Sequence, residues 1–147
     1  MHASHPFEPA LFQAIVEQTP DAVIFADREG LIRVWNRGAE AVFGFAAEEA
    51  LGQSLDLIIP ERLRAAHWQA FDRAIGNGRT QYGNQVRTTR SIHKDGRKLY
   101  VDLSFGLITD AAGAVVGSVA VGRDGSERFL SAKALRERLA ALERPVP

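Results

Sequence analysis

The chain has no cysteine and a single methionine, which stands at position 1. Disulfides, thiolate zinc sites, iron–sulfur clusters, thiol nucleophiles and covalently attached c-type haem are therefore excluded, and a tightly held metal would have to use His or carboxylate. Charge of one sign is also missing. Lys+Arg and Asp+Glu both number 18, so nothing in the net charge points to nucleic acid, an anionic membrane face or a polyanionic substrate. No apolar run approaches the ~18 residues that span a bilayer, and the stretch from Met1 to Phe7 lacks the basic and apolar regions of a secretory signal. The cytoplasm is the expected compartment. Internal repeats and low-complexity runs are absent. What is present is 147 residues, 46% hydrophobic and 24% charged, the profile of one soluble globular domain. A chain of this size buries roughly 68–70% of its unfolded surface, enough for a core without a metal or disulfide staple.

Along the chain the hydrophobic period changes several times. Residues 1–9 read as a disordered N-terminus. Leu11, Phe12, Ile15 and Val16 share one face of a short helix over Pro9–Gln18, stopped by Pro20. Ala22–Asp27 and Leu31–Asn36 are β-rich and flank Arg28-Glu29-Gly30, a hairpin pattern. Short helical pieces follow at Arg37–Phe43, Ala46–Leu51 and near Ser54–Ile58, the first two stopped by Gly44 and Gly52. Pro60 opens a long helix to Ile75, closed by Gly76-Asn77-Gly78. Three strands then follow at Gln81–Ser91, Arg97–Thr109 and Ala114–Asp124, with turns at His93–Gly96 and Asp110–Gly113. In the middle one the odd positions from Leu99 to Leu107 are all apolar, so one face is buried. Glu127–Glu143 is a tail helix with a thin stripe at Leu135, Leu139 and Leu142. Five strands with one long helix and flanking helices make an α+β fold.

This order, two strands, short helices, one long helix and three strands, resembles the PAS domain. Local sequence agrees: Asn36 after the second strand, Phe43-Gly44-Phe45, Leu51-Gly52, Ile59-Pro60-Glu61, Lys94-Asp95-Gly96 and Arg123-Asp124 stand where PAS domains carry comparable residues. The resemblance implies a five-stranded antiparallel sheet with the short helices and the long helix on one face. It also implies a sensor domain over 10–125 and a C-terminal signalling or dimerisation helix and tail over 126–147. Asp124-Gly125-Ser126 departs from the Asp-Ile/Val-Thr of many members. PAS domains share a fold but differ in ligand. The flavin and coumaroyl photosensors of the family need a cysteine, which this chain lacks.

His67 is the residue with most chemistry. At 100° per residue it lies on one stripe with Leu63, Ala66, Ala70, Phe71, Ala74 and Ile75, opposite Arg62, Gln69, Asp72 and Arg73. An inward neutral imidazole needs partners for its ring nitrogens, either a backbone carbonyl or a metal. The stretch from Arg64 to Gly96 resembles haem-PAS oxygen sensors of the FixL and direct oxygen sensor phosphodiesterase types, and that resemblance chooses the metal. It implies haem b held by His67, with Arg73 at a propionate, Arg87 facing bound oxygen, and Leu103 and Phe105 lining the gas side. Tyr82 either lines the same pocket or packs as a strand aromatic. Gln85 stands where phosphodiesterase-type sensors place a methionine ligand, so five-coordinate iron is implied.

The alternation around Arg87, with Thr88, Thr89 and Arg90 also polar, leaves open whether it faces inward or to solvent. Trp68 projects off the stripe, toward packing or a partner, and His93 reads as exposed. No second His stands at metal-ligand spacing to His67, and no Gly-x-Ser-x-Gly or Gly-x-x-x-x-Gly-Lys occurs, so an enzyme is not expected. The expected function is a haem-based sensor of O2, or of CO or NO, signalling as a homodimer to a kinase, cyclase/phosphodiesterase or regulator domain. The alternative is a haem-free PAS module for dimerisation, docking or a small metabolite.

Overall fold

The computed structural model describes residues 8–80, 83 and 85–145. In chain order it runs α1 (Pro9–Gln18), β1 (Ala22–Asp27), β2 (Ile32–Trp35), α2 (Arg37–Phe43), α3 (Ala47–Ala50), two single 3-10 turns (Leu55–Ile58 and Glu61–Leu63) and α4 (Arg64–Asn77). β3 (Arg87–Ile92), β4 (Lys98–Thr109), β5 (Val115–Asp124) and α5 (Ser126–Glu143) follow. The strands form one antiparallel sheet in the order β2-β1-β5-β4-β3. Three expected boundaries move by two residues or more, one of them the end of the long helix, which runs past Ile75 to Asn77. The third strand begins at Arg87 rather than Gln81, and the long helix starts at Arg64, after a 3-10 turn, because Pro60 sets an extended residue and not a first helical turn.

One sheet face carries the core. Ala22, Ile24 and Ala26 of β1, Ile32 and Trp35 of β2, and Leu99, Val101 and Leu103 of β4 are buried in one cluster with Phe43, Ala50, Leu55, Ile58, Phe71 and Ile75. Helices α2 to α4 therefore cover this inner face. The entry to it is tied by Asn36, which is fully buried. Its Oδ1 accepts from the Val23 and Ala39 N–H groups at 2.8 and 2.9 Å, and its Nδ2 donates to the Val16 and Asp21 carbonyls at 2.8 and 2.9 Å. One side chain thus joins α1, the start of β1 and the N-cap of α2.

On the outer face, α5 is fastened by its first turn. The Gly125 N–H donates to the Tyr100 carbonyl at 2.8 Å, and the Tyr100 N–H donates to Ser126 Oγ at 2.9 Å. The Phe129 ring stacks on Tyr100 with centroids 4.0 Å apart. Arg128 donates to both Asp102 oxygens at 2.7 Å, and Thr88 Oγ1 on β3 donates to Asp102 Oδ1 at 2.7 Å. The Asp-Gly-Ser departure from the family pattern still anchors the helix, through the serine hydroxyl.

Candidate functional site

The start of α4 is pinned from below. Arg64 donates from Nε to the Ile59 carbonyl and from Nη2 to the Asp56 carbonyl, at 3.1 and 3.3 Å. Trp68 donates from Nε1 to Asp56 Oδ1 at 2.7 Å. Its indole lies over Gly30, where the backbone φ is +81° and a Cβ would strike the ring. Trp68 is therefore part of the fold, the packing alternative of the two that the sequence offered for it. These contacts set the rotation of α4, which leaves His67 half-buried beside Trp68 and Phe71. The buried stripe is narrower than the projection predicts. Phe71 and Ile75 are buried and Leu63, His67 and Ala74 half-buried, whereas Ala66 and Ala70 are exposed.

The His67 ring meets Trp68 edge-on with centroids 4.7 Å apart and lies 6.0 Å from Phe71. Its Nδ1 is buried and has no hydrogen-bond partner. Burial pushes the imidazole pKa down, while the carboxylates of Asp56 and Asp72 pull it back part of the way. The ring is thus held neutral, the form that binds metals.

The strand opposite settles Arg87. In the β3–β4 ladder Arg87 pairs with Leu103, Thr89 with Val101 and Ser91 with Leu99. Directly paired residues share a sheet face, so Arg87 belongs to the inner face although it is exposed. Two residues along β4, Phe105 stands on that face and is 38% exposed, while Leu103 is 3% exposed. Across β5, Leu103 and Phe105 pair with Gly122 and Ala120, leaving a flat wall of small residues beside them. Arg73 is on the exposed side of α4. Tyr82 lies outside the described residues. His93 departs from expectation: its side chain is only 16% exposed, with the ring over Gly44 and Nδ1 accepting from the Asp95 N–H at 3.1 Å.

Two surface hollows, of about 530 and 440 Å³, lie beside Pro60, Arg62 and Ile92 and beside Asp102, Arg123 and Arg128. Neither is lined by His67, Arg87, Leu103 or Phe105. The residues fit a haem in their chemistry, through a neutral imidazole with an orphaned buried nitrogen and an apolar wall left partly open at Phe105. The fit is one of donor and walls, with no ready-made chamber among these hollows.

The family model described as the PAS fold matches residues 10–125. The chain belongs to the PAS family. It is 27% identical over 139 residues to the oxygen sensor protein DosP of Escherichia coli, covering 92% of this chain and 17% of that one. It is 31% identical over 98 residues to the sensor protein FixL of Bradyrhizobium diazoefficiens, covering 64% and 19%. The PAS domain described here thus spans less than a fifth of these curated relatives. An RNA-binding light-oxygen-voltage receptor superposes with a TM-score of 0.71 at 22% identity, over 97% of this chain and 41% of that one, a likeness of fold alone. Asp56 and Asn36 organise the site and its entrance. Asn36 carried a signal, an Asn directly after a strand and before a helix, whereas nothing in the sequence marks Asp56 as the acceptor for Trp68.

Proposed function

We propose that this PAS domain is a sensor that binds haem b through His67 and detects a diatomic gas, O2 or else CO or NO. The observation that carries this reading is the buried, partnerless Nδ1 of a neutral imidazole on the inward side of α4. An unsatisfied buried polar group costs about 1–3 kcal/mol, and coordination of the ring is one way the cost is removed. The E. coli relative is an oxygen sensor, and the reading extends that role to this chain.

Bound haem would supply an iron with an open position for a gas. The protein's own residues would do the rest. His67 offers one ring nitrogen, and Leu103 and Phe105 exclude water from the side opposite α4. The Arg87 guanidinium, on the same face as Leu103, is a charge-assisted donor toward an anionic ligand atom and a poor partner for a neutral one. Arg73 would meet a propionate from the exposed side of α4, and Tyr82 would border the pocket. Signalling would pass through the sheet to α5 by a shift of populations, and to a kinase, cyclase/phosphodiesterase or regulator domain.

Reconstitution of the purified chain with haem tests this. An intense Soret band at one haem per chain, lost in His67→Ala, is expected. A colourless protein after reconstitution, or a band unchanged by His67→Ala, would leave the second reading, a haem-free PAS interaction module. The observation favouring that reading is that neither hollow touches His67.

A further inference from the structure

The two ends of the sheet are finished differently. At β2 the chain seals its own edge: the Ile32 N–H donates to the Gln53 carbonyl and the Gly52 N–H to the Ile32 carbonyl, both at 2.8 Å, and Leu31 bridges Ser54. At the other end, β3 has β4 on one side only. The ladder between them is regular, and at its end the His93 N–H donates to the Arg97 carbonyl at 3.0 Å. Antiparallel pairs alternate between bonded and unbonded, so Ser91, Thr89 and Arg87 direct their backbone groups to β4, and Thr88, Arg90 and Ile92 turn theirs outward. Tyr100 agrees with this phase. It stands opposite Arg90, and its own N–H and carbonyl go the other way, to Ser126 and Gly125. Among the described residues no hydrogen bond reaches the outward N–H and C=O groups of Thr88, Arg90 and Ile92. β3 also lacks the proline, lysine or bulge that commonly blunts an edge.

We propose that β3 takes up an extended segment of a partner protein as a further strand of the sheet, one that carries a carboxylate opposite Arg90 and an apolar side chain two residues away, over Ile92. Strand addition of this kind draws affinity from main-chain bonds and its choice of partner from alternate side chains. Two features choose the occupant. Arg90 is half-buried over the Tyr100 ring, 5.5 Å from its centroid, and its buried Nε has no hydrogen-bond partner. Arg87 and Arg90 are the charges of β3, with no acid among its six residues, so cross-strand attraction favours an anionic neighbour. Asp102, across the ladder from Thr88, is already paired with Arg128. Beside Ile92 lies the hollow of about 530 Å³ formed with Pro60, Glu61 and Arg62, which gives room to an apolar side chain at the next position on the same face of the added strand. A second copy of this chain fits worse, because the one antiparallel register that engages all three outward residues of both copies sets Arg90 against Arg90.

The test is amide hydrogen exchange on the 147-residue chain, read residue by residue by NMR, with the peptide acetyl-Thr-Thr-Val-Glu-Thr-Leu-Thr-amide as probe. Exchange at Thr88, Arg90 and Ile92 should be fast in the free chain and slow about tenfold or more at millimolar peptide. Thr89 and Ser91, bonded to β4, should change little. The same peptide with Lys in place of Glu should bind about tenfold more weakly, and Arg90→Glu should reverse that preference. Should Arg90→Glu fail to fold, the two peptides on the parent chain still decide. No protection by the Glu peptide, equal binding of both peptides, or a preference unmoved in a folded Arg90→Glu chain would each overturn the proposal. Outward amides that become protected in the free chain as its own concentration rises would overturn it in favour of a second copy. His67→Ala should respond as the parent does, so this result and haem uptake are told apart.

Discussion

Arg87 and Leu103 face each other across the β3–β4 ladder, so the Arg87 guanidinium emerges on the inner face beside the leucine of the candidate gas side. Arg87→Ala should therefore speed oxygen release from the haem-loaded protein about 10- to 100-fold, the range of one lost hydrogen bond to a charged group. Carbon monoxide release, measured by stopped-flow displacement on the same sample, should change far less. Equal effects on both gases would remove Arg87 from discrimination.

His67 makes a prediction for the protein without haem. Its folded pKa is lowered by burial, so the unfolded chain takes up the proton more readily. The neutral ring's contribution to stability is present above the ordinary imidazole pKa of about 6.5 and is lost as pH falls through that value toward the folded one. His67→Leu removes both this pH dependence and the orphaned nitrogen. Urea unfolding should show the variant about 1 kcal/mol more stable than the parent at pH 7, with the gap widening at pH 5. A variant less stable than the parent at both pH values would show that the ring nitrogen is satisfied in solution.

Asn36 should be among the costliest polar positions. Truncation to Ala strands two N–H donors and two carbonyls that it serves, for a loss of about 2–4 kcal/mol. Asn36→Asp keeps the two acceptor bonds but puts an acceptor against the Val16 and Asp21 carbonyls. It should be no better than Ala in denaturant midpoint at pH 7, and should improve as the carboxyl is protonated.

Gly30→Ala attacks the support of α4. The residue sits at φ +81°, and its Cβ would enter the Trp68 indole, so strain and collision add to about 2 kcal/mol or more. Quenched Trp68 packing should appear as a red-shifted tryptophan emission, and haem uptake should fall with it. Normal uptake with a shifted emission would separate Trp68 from the placement of His67.

The Asp102 carboxyl is held below its usual range chiefly by the hydrogen bond from Arg128, with Thr88 adding to it. Arg128 is 64% exposed, so the pair stabilises by no more than about 1 kcal/mol. That contribution is present above the ordinary carboxylate pKa and fades as pH falls through the lowered one. Asp102→Asn should barely move the melting temperature, yet amide exchange across residues 126–130 should quicken at pH 7. Unchanged exchange would mean that the contacts of Gly125, Ser126 and Phe129 with Tyr100 hold α5 without the Asp102 pair.

The sequence made most elements legible because each carried its own punctuation. β1, α1 and the β4–β5 hairpin start and stop within a residue or two of where Pro20, Gly30 and Asp110–Gly113 put them. The alternation of β4 announced its buried face. β3 had no such signature, since Arg87, Thr88, Thr89 and Arg90 are all polar, and its orientation comes entirely from its partner strand. The inward side of α4 was legible as far as His67, Phe71 and Ile75. The exposure of Ala66 and Ala70 was not, because small residues tolerate either environment. Trp68 was legible as a packing residue but not in its place: its anchor, Asp56, lies 12 residues away in a 3-10 turn, and no periodicity links the two.

The Ser126 hydroxyl closes the end of the β4 ladder by accepting the Tyr100 N–H. This fixes the azimuth at which α5 leaves the sheet, and each residue of helix adds about 100° to that angle. One residue inserted between Asp124 and Ser126 would swing the leucine edge of α5 a quarter turn or more about its axis, while leaving every strand in place. The phase of α5 against the sheet is thus set by contacts confined to residues 125–129, and the length of that junction becomes a matter of phase before it is one of reach.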